Sequence, residues 1–362
     1  MDTHANPVRV KVLVTGATGF VGGAVVERIL AEGDVVHVLV RDPDDARAQA
    51  LRTAGAVLFT GTLADPNEVA RAARDCRVVV HAAGHASHHA SRRALMWTHV
   101  AGTENVLKAA RHVGCRRVVH VSCADVSLVN ADRMHWNEDK SPETALVDDF
   151  ARSKLLAEEL AVSSSDEQLE VAAVRPAWLW GPGDTSVLPD LCREGLAGGL
   201  RLFGDGKNLV ATSYIDHVVE AIVSACEARD AHGRAYNVAD PEFLDAGEFF
   251  TMLSRAVGLP PPRPGLPFAA EYALAWLRQK RGAEGLWPGD VARRGRSTSF
   301  DVGRATKDLE YEPTVKMADG MERLAAWVRE QGGAAAIAKL ARPPATDASV
   351  AAQVAAAGPG DA

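Results

Sequence analysis

The chain has 362 residues, 47% hydrophobic and 24% charged, enough for one large or two closely joined folded domains. A formal charge of -7 at pH 7, a pI near 6.0 and the lack of a long basic cluster argue against a nucleic-acid partner. No apolar run approaches membrane-spanning length, no signal-peptide core precedes the first strand, and five cysteines without C-x-x-C pairs suit reducing conditions. A soluble cytoplasmic protein without stable membrane insertion is therefore expected.

The β-branched run Val10-Lys11-Val12-Leu13-Val14 reads as a strand buried on both faces of a parallel sheet. Gly16, Gly19 and Gly22 follow as G-x-x-G-x-x-G and run into the helical pattern Ala24-Val25-Val26-Glu27-Arg28-Ile29-Leu30. Strand, glycine turn and helix together bring backbone close to a pyrophosphate. The helix N-terminus then offers it unpaired N–H groups and a partial positive charge. A dinucleotide site is the expectation. Val35 to Val40 reads as a second buried strand, with Arg41 just past its end. An acidic side chain near this point holds a ribose 2′-hydroxyl, whereas an arginine accommodates a 2′-phosphate, so NADP(H) is favoured over NAD although Asp42 follows.

A third strand is expected over 56–59, ending in Gly61-Thr62-Leu63, and Asp65-Pro66 opens a helix. A fourth strand over 77–80 leads into His81-Ala82-Ala83-Gly84, where small residues leave room for a ribose. A helix from about Leu95 to His112 and a strand over 117–121 extend the alternation, which specifies a doubly wound parallel α/β sheet. The triplet His85, His88 and His89 lies just beyond the fourth strand, at the edge where substrates dock. Without a carboxylate or cysteine at ligand spacing, a substrate-facing loop is expected there and a metal is not.

TGATGFVGG, HAAG, HVAGTENVLKA, VSCADVS, FARSKLLAE, VRPAWLWGPGD and SFDVGRATKDLEYEP appear in this order. Over roughly residues 8 to 330 the chain thereby resembles an extended short-chain dehydrogenase/reductase of the NAD-dependent epimerase/dehydratase superfamily. Within it the resemblance is to the 3β-hydroxysteroid dehydrogenase-like branch, which acts on bulky lipophilic alcohols and ketones. It implies a Rossmann core over 1–177 with a helix around 214–228. A smaller substrate-binding region over 178–213 and 229–330 would follow, and the alanine-, glycine- and proline-rich composition of 331–362 predicts a flexible tail. The resemblance also implies cofactor contacts at Gly16, Thr18, Gly19, Phe20, Val21, Arg41, Thr62, Leu63, Ala82, Ala83, Gly84, Lys154 and Pro176. A homodimer through the helices near 102–113 and 151–162 is expected on the same ground.

The active site departs from the family. Its tyrosine, four residues before a lysine on one helix face, is Phe150 before Lys154 here; its serine or threonine is Cys123; its asparagine aligns with His99. A phenylalanine delivers no proton. Cys123 and His99 are the candidate substitutes, with Lys154 retained to align the nicotinamide. Trp178, Trp180, Met134 and Trp136 would build an aromatic pocket around His85, Phe150 and Trp178. The expected activity is NADPH-dependent reduction of a bulky, sterol-like or polycyclic lipophilic ketone, or the reverse oxidation. A non-catalytic NADP-binding sensor or scaffold, and redox-neutral isomerisation or dehydration, remain the alternatives. The helix from Phe268 to Leu277 is expected to pack on the core rather than on a membrane.

Overall fold

A computed structural model describes residues 10–85, 87–142, 144–283, 285–340 and 346–347. Seven parallel strands form the central sheet. From edge to edge they are Arg234–Val238, Glu170–Pro176, Arg117–Val121, Val78–His81, Lys11–Thr15, Val35–Val40 and Val57–Thr60. The doubly wound α/β expectation holds. Side-chain alternation sorts each strand between two cores. Val12, Val14, Val36, Val38, Val78 and Val80 face helices Phe20–Ala31 and Ile215–Glu227. Leu13, Leu39 and Val79 face helices Pro66–Ala73 and Gly102–His112 on the other side.

Chain order reverses between the first and fourth strands, which are neighbours in the sheet. A crevice opens at their carboxyl ends, the position where doubly wound sheets bind ligands. The long loop after the fifth strand returns to the sheet's end through Arg133–Trp136, which pairs in parallel with Thr298–Phe300. Two segments far apart in sequence thus close one side of that crevice. No helix among the described residues is long and apolar enough to cross a membrane.

Three expectations need correction. Arg234–Val238 completes the central sheet and does not belong to the smaller region, because its register continues that of Glu170–Pro176. The tail does not begin at 331: Ala334–Ala338 is helical and Ile337 is fully buried in the main core, while most residues beyond 340 lie outside the described part. The helix Phe268–Lys280 packs through Phe268, Tyr272 and Ala275, but Leu274, Trp276 and Leu277 remain exposed, so core packing accounts for only one side of it.

Candidate active site

Gly16 has φ of +72°, the left-handed region that β-carbons disfavour, and an added Cβ would lie 2.6 Å from the Ala83 backbone. The turn after the first strand therefore touches the segment after the fourth. An added Cβ on Gly22 would lie 2.3 Å from the Gly16 carbonyl oxygen, so the helix packs directly against the turn. Gly19 caps the helix without a side-chain acceptor, leaving Phe20 and Val21 to open it with unpaired N–H groups. This cradle fits a dinucleotide pyrophosphate. Ala82 and Gly84 flank Ala83 along the crevice. Thr62 and Leu63 border it from the third strand, fixed by Thr62 N–H donating to Glu68 Oε2 at 2.7 Å and Asn105 Nδ2 donating to the Leu63 carbonyl at 2.8 Å.

Arg41 is exposed at the end of the second strand. Sequence reasoning missed a second arginine, which braces the glycine turn. Arg47 Nη1 donates to the Thr18 carbonyl at 3.0 Å and to Thr185 Oγ1 at 2.9 Å, tying the glycine turn to the loop beyond Trp180. Its position two residues after the helix-capping Asp45 is the signal that could have drawn attention to it.

Helix Asp149–Ser163 carries Phe150 and Lys154 one turn apart. Lys154 Nζ donates to the Val121 carbonyl at 2.8 Å, and burial holds its pKa below the usual lysine value. One turn further on, Glu158 accepts two hydrogen bonds from Arg175, at 2.8 and 2.5 Å, which clamps the helix to the neighbouring strand. Cys123 sits at the end of the fifth strand. Burial, against the opposing effect of Lys154, pushes its thiol up to about 12, so it stays protonated at neutral pH.

His99 lies within a π-helical turn, Met96–Ala101, and is 2% exposed. Its Nε2 accepts from the His85 N–H at 3.0 Å, so the ring proton is on Nδ1, which donates to Ser153 Oγ at 2.8 Å. Burial, reinforced by Lys154, holds its pKa well below the usual histidine value. Both nitrogens are therefore engaged in fixing the loop and the helix. The geometry makes His99 a positioning residue and corrects its role as a candidate proton donor.

A cavity of about 190 Å³ opens beside these groups, lined by His88, Cys123, Asp125, Arg133, Phe150, Pro176, Trp178 and Arg293, with aliphatic side chains between them. The histidine on this wall is His88, not His85, because the loop turns its ring to within 4.3 Å of the Phe150 ring centroid. Trp178 lines the cavity as expected, and Trp180 does not: it is 2% exposed, with Nε1 donating to Asp240 Oδ2. Met134 and Trp136 also lie off the cavity wall, since Arg133 is the residue of that strand that faces it. None of the four tyrosines lines it. A larger cavity, about 580 Å³, lies at the opposite end of the sheet around Arg77, Arg116 and Glu170, and holds none of the expected site residues.

Behind Phe150 stands a charge cluster that no short motif announces. Arg293 Nε donates to Asp125 Oδ2 at 2.5 Å and Nη2 to Asp148 Oδ2 at 2.6 Å, with its guanidinium 5.5 Å from the Phe150 centroid. Burial works against the Arg293 charge, but Asp125, Asp148 and Asp290 outweigh it and raise its pKa. Asp148 also caps the helix Asp149–Ser163 through Ala151 N–H. His88 has ring nitrogens 3.9 Å from Asp125 and 4.0 Å from Asp290, yet burial and then Arg293 lower it to about 4, leaving it neutral. No group of three or more His, Cys, Asp or Glu among the described residues could hold a metal ion.

The sequence model of the NAD dependent epimerase/dehydratase family matches residues 12–239, and the chain belongs to that family. It is similar to a 2-alkyl-3-oxoalkanoate reductase of Stenotrophomonas maltophilia, 30% identical over 87% of this chain and 98% of that protein. A 3-beta-hydroxysteroid dehydrogenase of Mycolicibacterium neoaurum is 27% identical over 84% of this chain and 87% of its own length. In fold it is similar to a UDP-glucuronic acid 4-epimerase of Bacillus cereus solved with UDP-glucuronic acid and NAD. That match has a TM-score of 0.71 and 20% identity, and covers 89% of this chain and 99% of the other.

Proposed function

We propose that this protein is an NADP(H)-dependent ketone reductase, or the corresponding alcohol dehydrogenase, for lipophilic substrates. The observation that carries the reading is the placement of Lys154 and Cys123 at adjoining points of one crevice, between the glycine cradle and an aromatic cavity. The relatives named as a 3-oxoalkanoate reductase and a hydroxysteroid dehydrogenase support it. Bound in the cradle, the nicotinamide would supply hydride to the substrate's carbonyl carbon. The protein's own part is to position and protonate. Lys154 holds its ammonium at the strand end, and Cys123 hands its thiol proton to the carbonyl oxygen while Lys154 offsets the thiolate charge. The cavity is smaller than the roughly 300–1,000 Å³ that encloses a drug-sized ligand, so it takes the ketone end and leaves the rest of the molecule outside.

Arg41, exposed at the end of the second strand, favours the 2′-phosphate of NADP(H). Calorimetry is expected to give tighter binding of NADPH than of NADH. Loss of nicotinamide absorbance with a 3-oxo ester such as ethyl 3-oxohexanoate tests the chemistry, and Cys123→Ala should lower that rate about a hundredfold. Tighter NADH binding would remove the cofactor assignment. Binding without any ketone turnover would instead favour a sensor or scaffold, the reading that the packed Phe150 ring supports.

A further inference from the structure

Four arginines among the described residues are buried, and three hold a carboxylate: Arg117 with Glu170, Arg293 with Asp125 and Asp148, and Arg294 with Glu194. Arg133, 3% exposed, forms no ion pair with a carboxylate of the described residues. Its Nη1 donates to Ser127 Oγ at 2.9 Å and the Ala124 carbonyl at 3.3 Å, both neutral, and its buried Nε has no acceptor. Its guanidinium lies 5.8 Å from the Phe300 ring centroid. The charges that bear on it are Asp125, Arg293 and Cys123, and the Asp125 carboxylate is already taken by Arg293. Burial lowers its pKa to about 10, which still leaves it cationic at neutral pH.

A buried cation without a partner anion is costly, and a folded protein keeps one where a ligand completes the pair. Arg133 lines the same 190 Å³ cavity as Cys123 and Trp178, amid Leu179, Val187 and Phe300. We infer that Arg133 anchors a carboxylate of the substrate, so that the site selects lipophilic ketones and alcohols whose carboxylate lies within a few carbons of the reacting one. A carboxylate matches the planar donors of a guanidinium, and the short span follows from both groups sharing one small cavity. The inference rests on the reductase reading for its site and names the substrate class within it.

The test uses the full chain saturated with NADP⁺ and three calorimetric probes: 3-hydroxydodecanoate, its methyl ester and 2-dodecanol. The parent should bind the acid at least about tenfold more tightly than either neutral probe. Arg133→Met should abolish that preference without lowering the Tm, because it removes an uncompensated charge; Arg133→Lys should keep part of it. If Arg133→Met does not fold, Arg133→Gln serves for the same comparison. An acid preference absent from the parent, or retained in the variant, overturns the anchor. So does a Tm that falls in the variant while the preference stays, which would make Arg133 structural. Turnover of 3-oxododecanoate with NADPH is followed separately: its absence alongside an intact acid preference counts against the reductase reading alone.

Discussion

The glycine cradle and the corner around Phe150 share the carboxyl edge of one sheet, yet one is made of backbone and the other of side chains. At the cradle, Gly16, Gly22 and Ala83 approach so closely that a single added carbon collides with main chain. At the corner, His88, Cys123, Asp125, Asp148, Phe150 and Arg293 come from separate segments and are held by charge balance and ring packing. Backbone contact admits no substitution, whereas a side-chain cluster can be exchanged as long as its charges and volume still close. That difference allows a chain to keep its cofactor turn while the corner is built of residues such as Phe150, Cys123 and His99.

Removing the cation should damage the corner most. Arg293→Leu leaves Asp125 and Asp148 buried without this partner and removes support from the cap of helix Asp149–Ser163. Loss of one partner from a buried pair costs about 3–5 kcal/mol, and chemical denaturation is expected to read a loss of that size. At a temperature where the variant is folded, NADPH affinity should be close to that of the parent. A variant that loses both together would show that the two regions are a single unit.

Gly16→Val attacks the other side. Its φ of +72° and the 2.6 Å approach to Ala83 mean that the turn must move to accept a side chain. Cofactor affinity should fall by about a hundredfold, roughly 2.7 kcal/mol, while the cavity beyond Lys154 stays intact. Titration of NADPH measures the first half of this expectation. Unchanged affinity would mean that the pyrophosphate does not sit in the turn.

The same contrast explains what could be read in advance. Strand alternation, the glycine spacing and the Phe150–Lys154 interval are short-range patterns, and each appears in the fold where the sequence puts it. His88 was legible only as one of three histidines, because which ring faces the cavity depends on a loop conformation that periodicity does not encode. Arg133 and Arg293 carry no local signature at all. Their meaning lies in partners at long range, Asp148 and Arg293 being 145 positions apart. Trp180 misled for the opposite reason: two residues after a pocket residue on the same strand it looks like lining, but its Nε1 donates to Asp240 Oδ2 and its ring packs on Tyr214, which holds it in the core.

The smallest effect is expected where the departure from the family is most visible. The Phe150 ring is 7% exposed, with the His88 and His99 rings edge-on at 4.3 and 5.5 Å and Arg293 at 5.5 Å. In Phe150→Tyr the added hydroxyl enters a packed cage whose hydrogen-bonding groups are already engaged or held neutral by burial. If Cys123 delivers the proton, the new hydroxyl has no vacant task, and ketone turnover should stay within about threefold of the parent. The outcome that reverses this is specific. A large gain in turnover, with a new basic limb set by a tyrosine shifted down from its reference of about 10, would show that the corner kept tyrosine geometry and lost only one oxygen. Cys123→Ala would then be silent in the parent. The pair of variants therefore separates a rebuilt proton path from a vacated one, because each predicts the opposite response at both positions.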